Sequence, residues 1–261
     1  MAAPEIGRAD LLVERDERGL ATLTLNRPTK RNALTNDMYD ALAATLTELN
    51  ADSEVRVVVL TGSGGSFTAG NDLADFVSSV EKADSRPADQ DAPVTRFQRA
   101  VLRARPLLVA AVDGPAVGIG ATLLLHCDLV YATSRSYLQT PFVDLGLVPE
   151  FASSLLLPQR VGPQRAAELL LFGDRIPVER AHSLGLVNAV LPNEEALREH
   201  VDSRVAALLA KPAGALALTR SLLRGYPDER IEERSTRESA HFTERLASPE
   251  AMAIMRRFLK R

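Results

Sequence analysis

Two short stretches of this chain place small residues where a strand gives way to a helix. The first is Ser66-Phe67-Thr68-Ala69-Gly70-Asn71-Asp72-Leu73, and the second is Asp113-Gly114-Pro115-Ala116-Val117-Gly118-Ile119-Gly120. The first N–H groups of a helix have no partner within it and carry the positive end of its dipole. Two such groups converging on one point would hold a developing oxyanion. Small residues suit that task, because a ligand must approach the backbone closely. The same stretches also read as plain turns. Neither ends in the Lys-Ser/Thr of a phosphate-binding loop, and Leu123 stands where a dinucleotide fingerprint needs its third glycine.

The elements that must hold these turns follow from hydrophobic spacing. Residues 11–15 and 20–26 read as strands about a turn at 17–19, followed by a polar loop at 27–34. Met38, Leu42, Leu46 and Leu49 fall at helical spacing, predicting a helix over 37–50 capped by Thr35 or Asn36. Residues 55–61, a run rich in β-branched side chains, and the apolar run 107–112 read as strands buried on both faces. A short apolar helix is expected over 118–126 and a further strand over 128–132. Residues 80–93, rich in Asp, Ser, Ala and Pro, read as a mobile surface loop. After about Pro163 strands largely stop, and helices are predicted at 164–172, 177–184, 194–209, 213–224 and 228–247. The alternation predicts an α/β fold of repeated ββα units. The helical last third would pack on its own core or on a neighbouring subunit.

Composition narrows the class. Hydrophobic residues make up 46% and charged residues 25%, the balance of a globular domain able to bury a large core. A net charge of -3, with no basic stripe interleaved with aromatics, argues against nucleic acid as a partner. The lone Cys127 makes neither an internal disulfide nor a cysteine zinc site, and fits a reducing compartment. No run approaches the roughly 20 apolar residues of a membrane span. With no basic, apolar leader at 1–7 and no peroxisomal address at Leu259-Lys260-Arg261, a cytoplasmic location is expected.

Together the motifs resemble the crotonase, or enoyl-CoA hydratase/isomerase, superfamily. Val57-Val58-Val59-Leu60-Thr61-Gly62, running on to the Ala69-Gly70-Asn71-Asp72-Leu73 turn, is similar to its first signature. Ala111-Val112-Asp113-Gly114 through Gly120, followed by Cys127-Asp128-Leu129-Val130-Tyr131-Ala132, is similar to its second. Lys30-Arg31-Asn32-Ala33-Leu34 matches the family's early loop. The resemblance implies a spiral of ββα units over 1–195 and a helical trimerisation region over 196–261, giving a homotrimer or a dimer of trimers. It implies an acyl-CoA substrate, lying against Lys30, Arg31, Ala33, Ala69, Gly70, Asp72 and Leu73, with Gly118, Thr122 and Phe142 also lining it. By position the oxyanion N–H groups belong to Asn71 and Ile119.

The same comparison selects among reactions. Hydratases of the family carry glutamates at two positions that here hold Thr122 and Phe142, and neither residue ionises near neutral pH. Instead Glu150 ends the run Asp144-Leu145-Gly146-Leu147-Val148-Pro149-Glu150, which resembles the segment carrying the single base of peroxisomal-type 3,2-enoyl-CoA isomerases. The implied reaction moves a 3-enoyl double bond to the 2-position through a dienolate, with Glu150 taking and returning the proton. Coenzyme A is then part of the substrate, and neither a metal nor a redox cofactor is needed. The alternatives are a hydratase-like or other acyl-CoA thioester enzyme, and a non-catalytic acyl-CoA-binding protein.

Each side chain also has a plainer reading. Glu150 could be a first-turn glutamate of the next helix, and Asp72 a helix cap. Asp144 is the next candidate acid, or a surface residue. Thr122 could hold a water. His126 could relay a proton or be a satisfied core histidine, whereas His182, His200 and His241 lack metal-ligand spacing. Cys127 reads as a small buried hydrophobe. Lys30, Arg31 and the terminal cluster Arg256-Arg257-Phe258-Leu259-Lys260-Arg261 could meet phosphates or solvent.

Overall fold

The computed structural model describes residues 9–81, 92–224 and 229–259. Its framework is a six-stranded sheet in the order β1-β2-β3-β4-β6-β9. These are β1 (Leu11–Arg15), β2 (Leu20–Leu25), β3 (Val57–Gly62), β4 (Leu107–Val112), β6 (Leu129–Thr133) and β9 (Ala189–Leu191). Among the described residues of this sheet only the β1–β2 pair is antiparallel, joined by the tight turn in which Gly19 N–H donates to Asp16. A second sheet holds β5 (Pro115–Val117), β7 (Tyr137–Gln139) and β8 (Ile176–Pro177) in the order β5-β7-β8. The expectation that strands largely stop after Pro163 is therefore incomplete. β8 and β9 are only two and three residues long, too short to show a period-2 pattern.

β3 and β4 have helices on both faces, which explains their unbroken apolar sequences. Val58, Leu60, Leu108, Ala110 and Val112 face a large core shared with α1 (Asn36–Ala51), α3 (Pro93–Leu102) and α4 (Ile119–Leu124). Val57, Val59, Leu107, Val109 and Ala111 face a smaller core built with Leu197, Val201 and Val205 of α8 (Glu194–Leu209). Thr35 caps α1, its hydroxyl accepting from Met38 N–H at 3.3 Å. α4 is shorter than its apolar run predicts, because Gly118 starts it at φ 57° and turns take over at Leu125.

α2 (Leu73–Glu81) extends into the segment predicted as loop, and Pro93 opens α3; residues 82–91 lie outside the described residues. α5 (Ser153–Val161), α6 (Pro163–Phe172) and α7 (Val178–Ser183) follow the second sheet. The chain ends with α8, α9 (Ala213–Arg224), α10 (Glu229–Leu246) and α11 (Pro249–Leu259). Phe242 of α10 and Ala251 and Met255 of α11 are buried in the large core, so these helices close over their own subunit. No single described helix is long and apolar enough to cross a membrane.

A buried charge pair ties α9 to the sheet. Asp128, just before β6, accepts from Arg220 Nε at 2.8 Å and Arg224 Nε at 3.0 Å, and from Leu108 N–H at 2.7 Å. Arg220 also donates to the carbonyls of Ala104 and Arg105. Removing one partner of such a pair strands the other without compensation. Asp128→Ala should therefore lower the unfolding free energy by about 3 kcal/mol or more, read as a fall in the urea midpoint at unchanged m-value.

Candidate active site

The early loop and the two glycine turns form one hydrogen-bonded assembly. Arg31 and Asn32 both sit at positive φ; asparagine tolerates that region because its short amide bonds locally. The Asn32 amide donates to the carbonyls of Ser63 at 2.9 Å and Ser66 at 2.6 Å, and its oxygen accepts from Arg27 N–H at 2.8 Å. This fixes the loop against the end of β3. Ala69 N–H then donates to Arg31, Leu34 N–H to Gly70, and Asp72 N–H to Leu34. Asp72 caps α2, accepting from Ala74 N–H at 3.1 Å and Asp75 N–H at 3.3 Å, and it pairs with Arg27 at 3.2 Å. Its carboxylate is thus committed to structure, as the capping reading expects.

The second turn is joined directly to the first. Thr68 N–H donates to the Pro115 carbonyl and Val117 N–H to the Thr68 carbonyl, making a parallel bridge between Thr68 and Ala116. A Cβ on Gly70, at φ +89°, would lie 2.8 Å from the Val117 carbonyl oxygen and 3.9 Å from Gly118 Cα. A Cβ on Gly120 would lie 2.4 Å from Thr68 Cγ2. Approach this close, to backbone at Gly70 and to the Thr68 methyl at Gly120, requires glycine at both places. Among the described residues, the N–H groups of Asn71 and Ile119, each next to one of these glycines or Gly118, donate to no protein acceptor.

Glu150 lies in the interior, 4% exposed, and its Oε1 is buried with no hydrogen-bond partner. Burial pushes its carboxyl up to about 8, with the charge of Glu238 adding to the rise. The first-turn reading fails here: α5 begins at Ser153 after an Ala152 N-cap with no side-chain cap bond. What reaches that turn is the Glu150 carbonyl, which accepts from Ser153 N–H at 3.1 Å and Ser153 Oγ at 2.6 Å. Phe151 and Ala152 both adopt positive φ, 57° and 55°. Two such non-glycine residues in succession are strained and persist only where the surroundings over-determine them. Those surroundings are present: Phe151 is fully buried and stacks on His126 at 3.8 Å, and its carbonyl accepts from His126 Nε2 at 2.8 Å.

His126 is consequently a satisfied core histidine, held neutral with its pKa lowered by burial to about 3. Cys127 is likewise buried, its thiol raised to about 12. Thr122 is buried, with its hydroxyl 3.4 Å from the Ile119 carbonyl, and Phe142 is buried in the large core. Asp144 is exposed, as are Lys30 and Arg31, while Ala33 and Leu73 are half-buried. Arg256 and Arg257 lie on α11; Lys260 and Arg261 fall outside the described residues.

Tyr39 was not singled out from the sequence. It sits on α1 and donates its hydroxyl to the Asn71 side-chain oxygen. Burial, then the charges of Glu150 and Asp75, raise its pKa well above the ordinary phenol value. Tyr39 thus faces both Asn71 and Glu150, and Phe97 packs between the rings of Tyr39 at 5.5 Å and Phe151 at 6.4 Å. The available signal was a hydroxyl inside the apolar stripe of α1, since a buried tyrosine hydroxyl usually has a partner.

This arrangement of bridged turns and an adjacent buried carboxyl coincides with a family match that spans residues 15–261, to the model described as Enoyl-CoA hydratase/isomerase. The chain belongs to the enoyl-CoA hydratase/isomerase family. The mouse protein "Enoyl-CoA delta isomerase 3, peroxisomal" is 32% identical over 97% of this chain and 78% of its own length. The rat "Enoyl-CoA delta isomerase 2" is 35% identical over 94% of this chain, which spans only 62% of the rat protein. The solved structure of Pseudomonas aeruginosa OdaA superposes with a TM-score of 0.90 at 42% identity, covering 97% of this chain and 99% of that one. Proteins named as hydratases match as well, among them a putative enoyl-CoA hydratase of Thermus thermophilus. The crotonase-type α/β fold with a C-terminal helical region, expected from the motifs, is therefore the fold of this chain.

Two outcomes test the site as a physical object. Gly70→Ala forces a Cβ against the Val117 carbonyl and should cut kcat/KM for any acyl-CoA substrate at least about 100-fold, the loss expected for one displaced oxyanion donor. Glu150→Gln should stabilise the fold increasingly as pH rises. A carboxyl at about 8 in the fold, against an ordinary 4.5, binds its proton more tightly when native. Wild-type stability therefore falls between those values as pH rises, and the amide does not share that loss. Thermal melts of both proteins across this range measure the difference.

Proposed function

We propose that this protein is an enoyl-CoA isomerase that moves the double bond of a 3-enoyl-CoA to the 2-position. The observation that carries the reading is the buried carboxyl of Glu150, whose Oε1 has no protein partner and whose charge acts on Tyr39, the residue bonded to Asn71 of the first turn. The C2 proton of a 3-enoyl thioester lies between a carbonyl and an alkene, so its removal gives a dienolate with charge on the thioester oxygen. The N–H groups of Asn71 and Ile119 stabilise that oxygen, each donor lowering the barrier by about 2.7–4 kcal/mol by analogy with other oxyanion holes. Tyr39 fixes the Asn71 side chain and so steadies the turn that presents its N–H. Glu150 takes the C2 proton and returns it at C4. One base serves both transfers, and no metal or redox cofactor enters the scheme.

Thr122 and Phe142, both buried, supply no second ionisable group of the kind that adding water across a double bond needs. The acyl-CoA is placed along the early loop, with exposed Lys30 and Arg31 meeting its phosphates and Ala33, Ala69, Gly70, Asp72 and Leu73 lining its path. The same reading carries a homotrimer or dimer of trimers. Leu218, Leu222 and Leu223 on α9 are exposed apolar residues of the kind that subunit contacts cover.

The test is turnover of a 3-enoyl-CoA, followed by the absorbance of the conjugated 2-enoyl thioester. Wild type should convert it, and Glu150→Gln should lose about 100-fold or more of kcat, the usual range for a general base. The ionised carboxylate is the working form, so kcat/KM should rise with pH through about 8. Full activity in the amide variant removes Glu150 from the mechanism. A 3-hydroxyacyl product, or free CoA, would assign the chain to hydration or thioester hydrolysis instead.

A further inference from the structure

A second carboxylate is buried beside the same turn. Glu238, on α10, is 6% exposed, against 4% for Glu150. Its Oε1 accepts from Ser154 N–H at 2.9 Å and Ser154 Oγ at 2.5 Å. Ser154 lies in the first turn of α5, and the carbonyl of Glu150 is bonded to the preceding residue, Ser153. The two glutamates therefore flank one turn, Glu150 leading into it and Glu238 docked on it from the C-terminal helices. Glu150 Oε1 and Glu238 Oε2 are both buried without a hydrogen-bond partner. Two neighbouring carboxyls left in this state are relieved when one proton is held between them, since both ionised would repel at low dielectric.

We propose that Glu238 is a positioning residue for Glu150: docked on Ser154, it clamps the turn that carries Glu150 and adds a second buried acidic group to that turn, so that the two carboxyls act as a pair. This rests on the reading of Glu150 as the base and extends it to the group that tunes the base. Burial raises both carboxyls, and Glu238 adds to the rise at Glu150. The bonds from Ser154 and the charge of Arg234 oppose the rise at Glu238. Arg234 also donates to Ser154 Oγ at 3.2 Å. The negative charge thus settles on Glu238 and the proton on Glu150. The other groups packed nearby leave that order in place. Tyr39 from α1 keeps its phenol protonated, with Asp75 of α2 acting on it, and His126 is neutral. Gln98 of α3 is uncharged and accepts from Ser235 Oγ at 3.4 Å.

The experiment reads the proton directly. Protein labelled with carbon-13 at the glutamate carboxyls is titrated by NMR, and the Glu150 signal is identified by its loss in Glu150→Gln. In wild type it should titrate near pH 8. In Glu238→Gln, whose amide oxygen still accepts from Ser154, the midpoint should fall by about one pH unit or more, as expected on removing an adjacent like charge. The acid limb of kcat/KM should move with it. Should that variant fail to fold, Arg234→Met takes its place. Losing the cation lets Glu238 compete for the proton, and the Glu150 midpoint again falls. A Glu150 midpoint that stays within about 0.3 pH unit, well inside the effect of a nearby charge, in whichever variant folds, overturns the proposal. Because the signal needs no turnover, that result is separate from failure of Glu150 as the base, which shows only in the activity of Glu150→Gln.

Discussion

Thr68 and Ala116 form a bridge between two turns that are far apart in the chain, and the site depends on it. The bridge brings Gly70 against the Val117–Gly118 backbone, where a side chain would collide. It also uses the N–H groups of Thr68 and Val117, while those of Asn71 and Ile119 donate to no acceptor among the described residues. Unpaired buried donors are costly, and proteins keep few of them. The backbone that presents these two is itself held by hydrogen bonds: the early loop through Asn32, the first turn through Leu34, the second through Gln139.

The same economy governs the acid. A carboxyl buried with an unpartnered oxygen is destabilising, and its proton affinity rises in response. The chain holds Glu150 there by fixing the backbone rather than the side chain. The residues after it take up strained positive φ, and His126 locks the Phe151 carbonyl from the far side. Stability is given up here, and a buried acid of raised proton affinity is what results.

The C-terminal helices are part of this arrangement. Phe242 of α10 packs edge-on against Phe76 of α2 at 5.8 Å, and Glu238 docks on α5. The region expected to serve association between subunits therefore also completes the interior of its own subunit. Glu238 could have been noticed from spacing alone: Ile231, Ser235, Glu238 and Phe242 fall on one face of a helix, and a charge on the apolar face of an amphipathic helix needs explaining.

The sequence alone determined the framework. Apolar runs require strands buried on both faces, helical spacing set α1, and glycines at 70, 118 and 120 marked turns that need a close approach or a positive φ, because these are local consequences of side-chain size and period. It also marked Glu150, through the motif around it. Tertiary structure alone decided what the marked groups face. That Tyr39 bonds Asn71, that Glu238 lies beside the Glu150 turn, and that His126 is spent on a carbonyl all join residues many positions apart. Short strands such as β8 and β9 belong to the same class, since two or three residues pair only when a neighbour is already in place. Proton affinity follows suit, because burial and neighbouring charge, which shift it most, are properties of the packed interior and not of the chain order.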